Sequence, residues 1–165
     1  MLYLSKQPRT HSVETTRALQ AADGYLYLGL AEEALNELGQ VAPQEREDPA
    51  VLLARTRVLL HLKRWKPAEE LSRHGADKHP DEGEFTVQRA FALHQLQKGD
   101  QAIEVLLSAP DWIRRTGILH YNLACYEARL GDPSIARQCI NAAIQINAAM
   151  KKNARIDPDL ASLYN

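Results

Sequence analysis

Ala34, Ala68, Ala102 and Ala136 stand 34 residues apart, and Leu28, Leu62, Leu96 and Leu130 recur at the same interval six places upstream of them. A third column in register, Ala22, Thr56, Ala90 and Ala124, is small throughout. Identical residues in register across four units mean that one supersecondary unit is built four times, and a small residue at a fixed place means that two elements approach closely there. The stretches between breakers carry helical rather than alternating periodicity, so the repeated unit is all-α. With 165 residues, 45% hydrophobic and 25% charged, the chain suits one compact domain or one elongated array, and its composition excludes collagen-like, disordered and disulfide-scaffold classes.

The pattern predicts paired helices. The first unit has helices from about Val13 to Leu28 and Ala31 to Val41, the second from Val51 to Leu62 and Pro67 to His79. The third has Glu84 to Leu96 and Gln101 to Leu107, and the fourth Ile118 to Leu130 and Pro133 to about Met150. Asp48-Pro49, Asp132-Pro133 and Asp157-Pro158 each place a capping carboxylate before a proline, a signature of a helix start. Asp81 with Glu84 reads as a capping box. Lys98-Gly99-Asp100 and Gly131-Asp132 supply turns short enough to force antiparallel neighbours. Pro110 followed by Asp111-Trp112-Ile113-Arg114-Arg115 predicts an extra turn over the junction between units three and four.

The run from Tyr121 to Asp132, followed by Ala136, Ala143 and Ile144, resembles the tetratricopeptide repeat, a helix–turn–helix unit of 34 residues. Unit two departs from that pattern at Lys63-Arg64-Trp65, where Gly-Asp-Tyr is usual, with Trp65 filling the aromatic place. The resemblance implies a right-handed α-solenoid of about four repeats over residues 13–148, preceded by an extension at 1–12 and closed by a capping segment at 149–165. The tail, with Asp157-Pro158-Asp159-Leu160, is similar to the closing segment of bacterial proteins of this family. Ile156, Leu160 and Leu163 are therefore expected to cover the last repeat.

In such arrays the first helix of each pair lines a concave groove. Projected on this sequence, the resemblance places Gln20, Asp23 and Tyr27, then Arg57 and His61, then Gln88, Phe91 and His94, and finally Tyr121, Asn122 and Arg129 in that groove, with the inner curve free. Apolar anchors beside amide and guanidinium groups suit a protein or peptide partner. Chaperone-binding family members use a clamp of Lys, Asn and Arg; here Leu19, Asp23, Leu53, Arg57, Val87 and Phe91 stand in the corresponding places and Asn122 alone matches one clamp element, so tight binding of chaperone C-terminal acidic peptides is not expected.

Catalytic signatures are missing from the sequence: there is no G-x-S-x-G elbow, phosphate loop, H-E-x-x-H or C-x-x-C. No catalytic residue, metal site or cofactor is predicted, and Cys125 and Cys139 read as buried thiols of a cytoplasmic protein. A formal net charge of −1 argues against nucleic acid, and no apolar run is long enough for membrane insertion. The sequence thus predicts a non-catalytic scaffold holding a protein segment in its groove. The alternatives are a secretion-type chaperone and a module that self-associates through its ends, with Leu2, Tyr3 and Leu4 as the adhesive surface.

Overall fold

The computed structural model describes residues 11–164, so the N-terminal extension, with Leu2, Tyr3 and Leu4, lies almost entirely outside the described residues. Within them the chain forms α1 (Val13–Tyr27), α2 (Ala31–Gly39), α3 (Pro49–His61), α4 (Trp65–Lys78) and α5 (Glu84–Gln95). It continues through α6 (Gly99–Leu107), a single turn α7 (Asp111–Arg114), α8 (Gly117–Leu130), α9 (Pro133–Ile146) and α10 (Met150–Ala154). Short 3₁₀ turns lie at Pro43–Glu45 and Pro158–Leu163, and no strand occurs among the described residues. The helices stack as an α-solenoid of four antiparallel pairs, α1–α2, α3–α4, α5–α6 and α8–α9.

One turn geometry joins every pair. Gly29, Lys63, Gln97 and Gly131, again 34 residues apart, all adopt left-handed backbone with φ of 74°, 55°, 61° and 92°. The following amide in each case donates to the carbonyl five residues back, Leu30 to Tyr25, Arg64 to Leu59, Lys98 to Leu93 and Asp132 to Glu127, at 2.8–3.0 Å. This is the Schellman ending, which satisfies carbonyls that a helix terminus leaves open. Lys63 and Gln97 accept the conformation without glycine's freedom, at a cost of about 1 kcal/mol each.

Close approach of the paired helices follows from the small columns. Ala34, Ala68, Ala102 and Ala136 are each 0% exposed, and Ala22, Thr56, Ala90 and Ala124 are as fully enclosed. The leucine column sits at the helix ends instead, with Leu28 and Leu130 exposed. Gly75 takes the principle further. A Cβ there would lie 2.3 Å from the ring of Phe85, which is itself fully buried and stacks on His79.

The second helices alternate in length. α2 and α6 have 9 residues, α4 and α9 have 14. After each short one, an arginine folds back over the open carbonyls: Arg46 Nε donates to Val41 O and Nη2 to Gly39 O, and Arg114 Nε donates to Ala109 O and Nη2 to Leu107 O. The expected turn after Pro110 is α7, with Ile113 buried. Asp48, Asp132 and Asp157 cap as expected, accepting from Ala50, from Ser134 and Ile135, and from Asp159.

Three expectations are corrected. Asp81 caps nothing: α5 starts after Gly83, and the amides of Phe85 and Thr86 bond to the main-chain carbonyls of Glu82 and Gly83, which leaves no place for a capping box. The last long helix stops at Ile146 rather than Met150, because Asn147 turns extended and its side chain accepts from the amide of Ala149. Leu160 and Leu163 are buried against α8 and α9, but Ile156 is 77% exposed and covers nothing in the core.

At the other end, Glu45 accepts from the hydroxyl of Ser12 at 2.6 Å, its amide at 2.8 Å and the hydroxyl of Thr15 at 2.7 Å, tying the start of α1 to the first junction. These bonds, the Ser12 hydroxyl foremost, lower the Glu45 carboxyl from 4.5 to about 2. A carboxyl that ionises more readily in the folded chain stabilises it above its ordinary value, and that contribution is lost as pH falls through the folded value. The protection factors of amides in the first turn of α1, that is, exchange corrected for its intrinsic pH dependence, should therefore fall between pH 4.5 and about 2, and Glu45→Gln should abolish that acid dependence.

Gly75→Ala should lower stability in urea denaturation, since overpacking a filled site typically costs about 1–3 kcal/mol and outweighs the roughly 1 kcal/mol gained in helix propensity. Gly39→Ala, where nothing lies within 4 Å of the new Cβ, should instead be neutral or stabilising.

Candidate functional site

The first helices α1, α3, α5 and α8 pack in succession, α1 on α3, α3 on α5 and α5 on α8, and carry the residues projected into the groove. On α1, Gln20 and Asp23 are exposed and Tyr27 is 90% exposed. Asp23 reaches Arg57 of α3 across the face at 3.2 Å, both side chains being about half in solvent, where an ion pair orients more than it stabilises. Gln88 of α5 is spent on structure, its amide donating to Leu53 O at 3.3 Å.

Arg57, His61 and Phe91 come together with Leu60, Lys63 and Trp65 around an open pocket of about 300 Å³. The ring of Trp65 meets Phe91 edge to face with centroids 6.1 Å apart. Neither Lys63 nor Trp65 was projected into the groove. The departure at Lys63-Arg64-Trp65 was the available signal, because a side chain in place of the usual turn glycine has to point somewhere.

The remaining residues are brought together by the chain's own tail. Tyr121 Oη donates to Asp157 at 2.8 Å, with Cys125 Sγ at 3.8 Å from the same oxygen. Asp159 accepts from His94 Nε2 at 2.9 Å and from Arg129 Nη1 at 3.1 Å, while Arg129 Nη2 also reaches Gln97. His94 is 6% exposed and stacks on the buried Tyr126 with ring centroids 4.5 Å apart. Leu160 and Leu163 sink into the core behind these bonds, and Arg137 donates to Leu163 O.

The inner curve is therefore not free along its whole length. Three projected groove residues, His94, Tyr121 and Arg129, hold Asp157 and Asp159 of the closing segment. Beside this contact a pocket of about 420 Å³ remains, lined among others by Phe91, Gln95, Asn122 and Pro158. The sequence showed Asp157 as a helix start and Asp159 as part of a closing segment, and the use of both carboxylates by α5 and α8 depends on a fold-back that local pattern does not encode.

Cys125 Sγ and the Asp157 and Asp159 carboxylates lie within 4.8 Å of one another, close enough to serve as ligands to one ion. Each already has a bonding partner in the chain. Burial, and then the neighbouring carboxylates, push the Cys125 thiol well above the ordinary thiol range. A nucleophilic cysteine needs the opposite, a cationic neighbour that favours thiolate. Burial and the bond to Asp157 likewise raise the Tyr121 phenol. Cys139 is half-buried rather than buried.

No family model and no curated protein sequence matches the chain. Among solved structures, it is similar to a thermophilic TPR protein of Thermus thermophilus, at 21% identity and a TM-score of 0.79, covering 91% of this chain and 81% of that one. It is also similar to MamA of Desulfovibrio magneticus RS-1, at 16% identity and a TM-score of 0.73 over 93% of this chain and 85% of that one. MamA AMB-1 matches at 18% and 0.70, over 92% and 86%. At such identities the likeness establishes the fold, which is that of tetratricopeptide-repeat proteins. No helix among the described residues is long and apolar enough to cross a membrane.

Asp159→Ala removes the acceptor shared by buried His94 and Arg129. Bonds to charged groups are worth about 1.5–3 kcal/mol; amide exchange over residues 158–163 should accelerate while α1 to α4 keep their protection. Unchanged exchange would mean that Leu160 and Leu163 alone hold the segment.

Proposed function

We propose that this protein is a non-catalytic scaffold that holds a segment of another protein along the open part of its concave face, from α1 through α3 to α5. The observation that supports this reading most is the chain's own tail: on the same face, side chains of α5 and α8 grip an Asp-Pro-Asp segment through hydroxyl, imidazole and guanidinium donors. A face that binds a polypeptide stretch at one end has the chemistry for it at the other. The open portion combines aromatic walls with Arg57 and His61, the mixture that supplies anchoring area and direction in peptide recognition.

A pre-formed groove on stacked helices lowers the ordering cost on the receptor side. The near-neutral total charge favours a polypeptide partner over nucleic acid, and the thiol-favouring setting of Cys125 supports a binding role over covalent chemistry. A cytoplasmic setting suits the two free cysteines.

Affinity capture from native cells tests the proposal. Partners held by the wild type should be lost from an Arg57→Glu, Phe91→Ala variant and kept by Glu70→Lys on the outer helix α4. An unchanged partner list would move binding to the convex back or the array ends and overturn the reading.

A further inference from the structure

We infer that the open pocket between α3 and α5 takes an acidic segment of a partner protein, one that presents an aromatic or large aliphatic side chain between carboxylates. The inference rests on the groove reading above and specifies its ligand.

The pocket has an apolar wall of Leu60, Trp65 and Phe91 and a rim of Arg57, His61 and Lys63; no carboxylate lines it. Asp23, 3.2 Å from Arg57, offsets one of these charges from the α1 side. Among the described residues, the His61 and Lys63 side chains have no bonding partner within the chain. Such a rim attracts carboxylates and repels a basic segment, while the wall accepts one large side chain.

Repeat geometry carries the argument further. Arg57 and His61 occupy on α3 the positions that Cys125 and Arg129 occupy on α8, 68 residues on, and those two touch Asp157 and Asp159. Phe91 walls both the open pocket and the one beside the tail, so a segment in the first lies in line with the second. The tail thus shows what kind of segment fits these positions: carboxylates directed at the first helices, with apolar side chains next to them. Lys63 adds a third observation. It keeps left-handed backbone where Gly29 and Gly131 stand in the equivalent turns, and its side chain lines the pocket.

The test uses three short fluorescent peptides: one Trp flanked by Asp and Glu, the same with Lys for every acid, and the acidic one with Ala for Trp. Binding to the full chain is followed by anisotropy. The acidic Trp peptide should bind at least about tenfold more tightly than either counterpart, and added salt should weaken it. Lys63→Gly should weaken it several-fold without lowering the thermal midpoint, because glycine suits that backbone better, and Lys63→Glu should weaken it more. The inference is overturned if the Lys peptide binds as well, if Lys63→Gly leaves affinity unchanged, or if no peptide binds. Binding of the Lys or Ala peptide that Phe91→Ala abolishes would sink the acidic ligand and leave the groove reading standing. Captured partners indifferent to Arg57→Glu, Phe91→Ala would sink both.

Discussion

Close helix–helix approach, set by side chains no larger than a methyl or a threonine, is the constraint on which the molecule depends. The enclosed columns at Ala22, Thr56, Ala90, Ala124 and at Ala34, Ala68, Ala102, Ala136 fix how near the two helices of each pair lie. The left-handed turn at Gly29, Lys63, Gln97 and Gly131 fixes how they reverse. With both quantities repeated four times, the first helices line up on one side and the second helices on the other.

Beyond α9 the regularity stops. After α9 come the short helix α10 and the segment from Pro158 to Leu163, which packs against α8 and α9 with Leu160 and Leu163 as its apolar side. The carboxylates of Asp157, just before it, and of Asp159, within it, turn the other way, toward Tyr121 and toward His94 and Arg129. This short stretch therefore adds to the core and occupies side chains of α5 and α8, while the pocket around Arg57, Trp65 and Phe91 stays open. Burial of His94 beside Tyr126 is tolerated because Asp159 supplies its ring nitrogen with a partner.

How far the sequence reached depended on the range of the interaction. Helix existence and the three Asp-Pro caps were legible because periodicity and capping act over a few residues. The repeat, and through it the meeting of α1 and α3 where Asp23 pairs with Arg57, was legible because it recurs. What escaped was non-recurrent. Asp81 looked like a cap, yet the main chain of Glu82 and Gly83 already met the need. Ile156 looked like part of the cap only because it is apolar. The occupation of His94, Tyr121 and Arg129 joins residues 30 to 65 positions apart in the chain, through one fold-back that occurs once and leaves no periodic trace.

The alternation of short and long outer helices carries a further consequence. Arg46 and Arg114 clasp the ends of α2 and α6 in matching fashion, whereas α4 runs to Lys78 with no such clasp before α5 begins. Neighbouring hairpins are thus not interchangeable; their seams come in two kinds that take turns. The indivisible unit of length is a pair of hairpins, like a two-tile motif in a frieze. Excising one hairpin would bring mismatched seams face to face, while excising or duplicating a whole pair would keep every seam in kind.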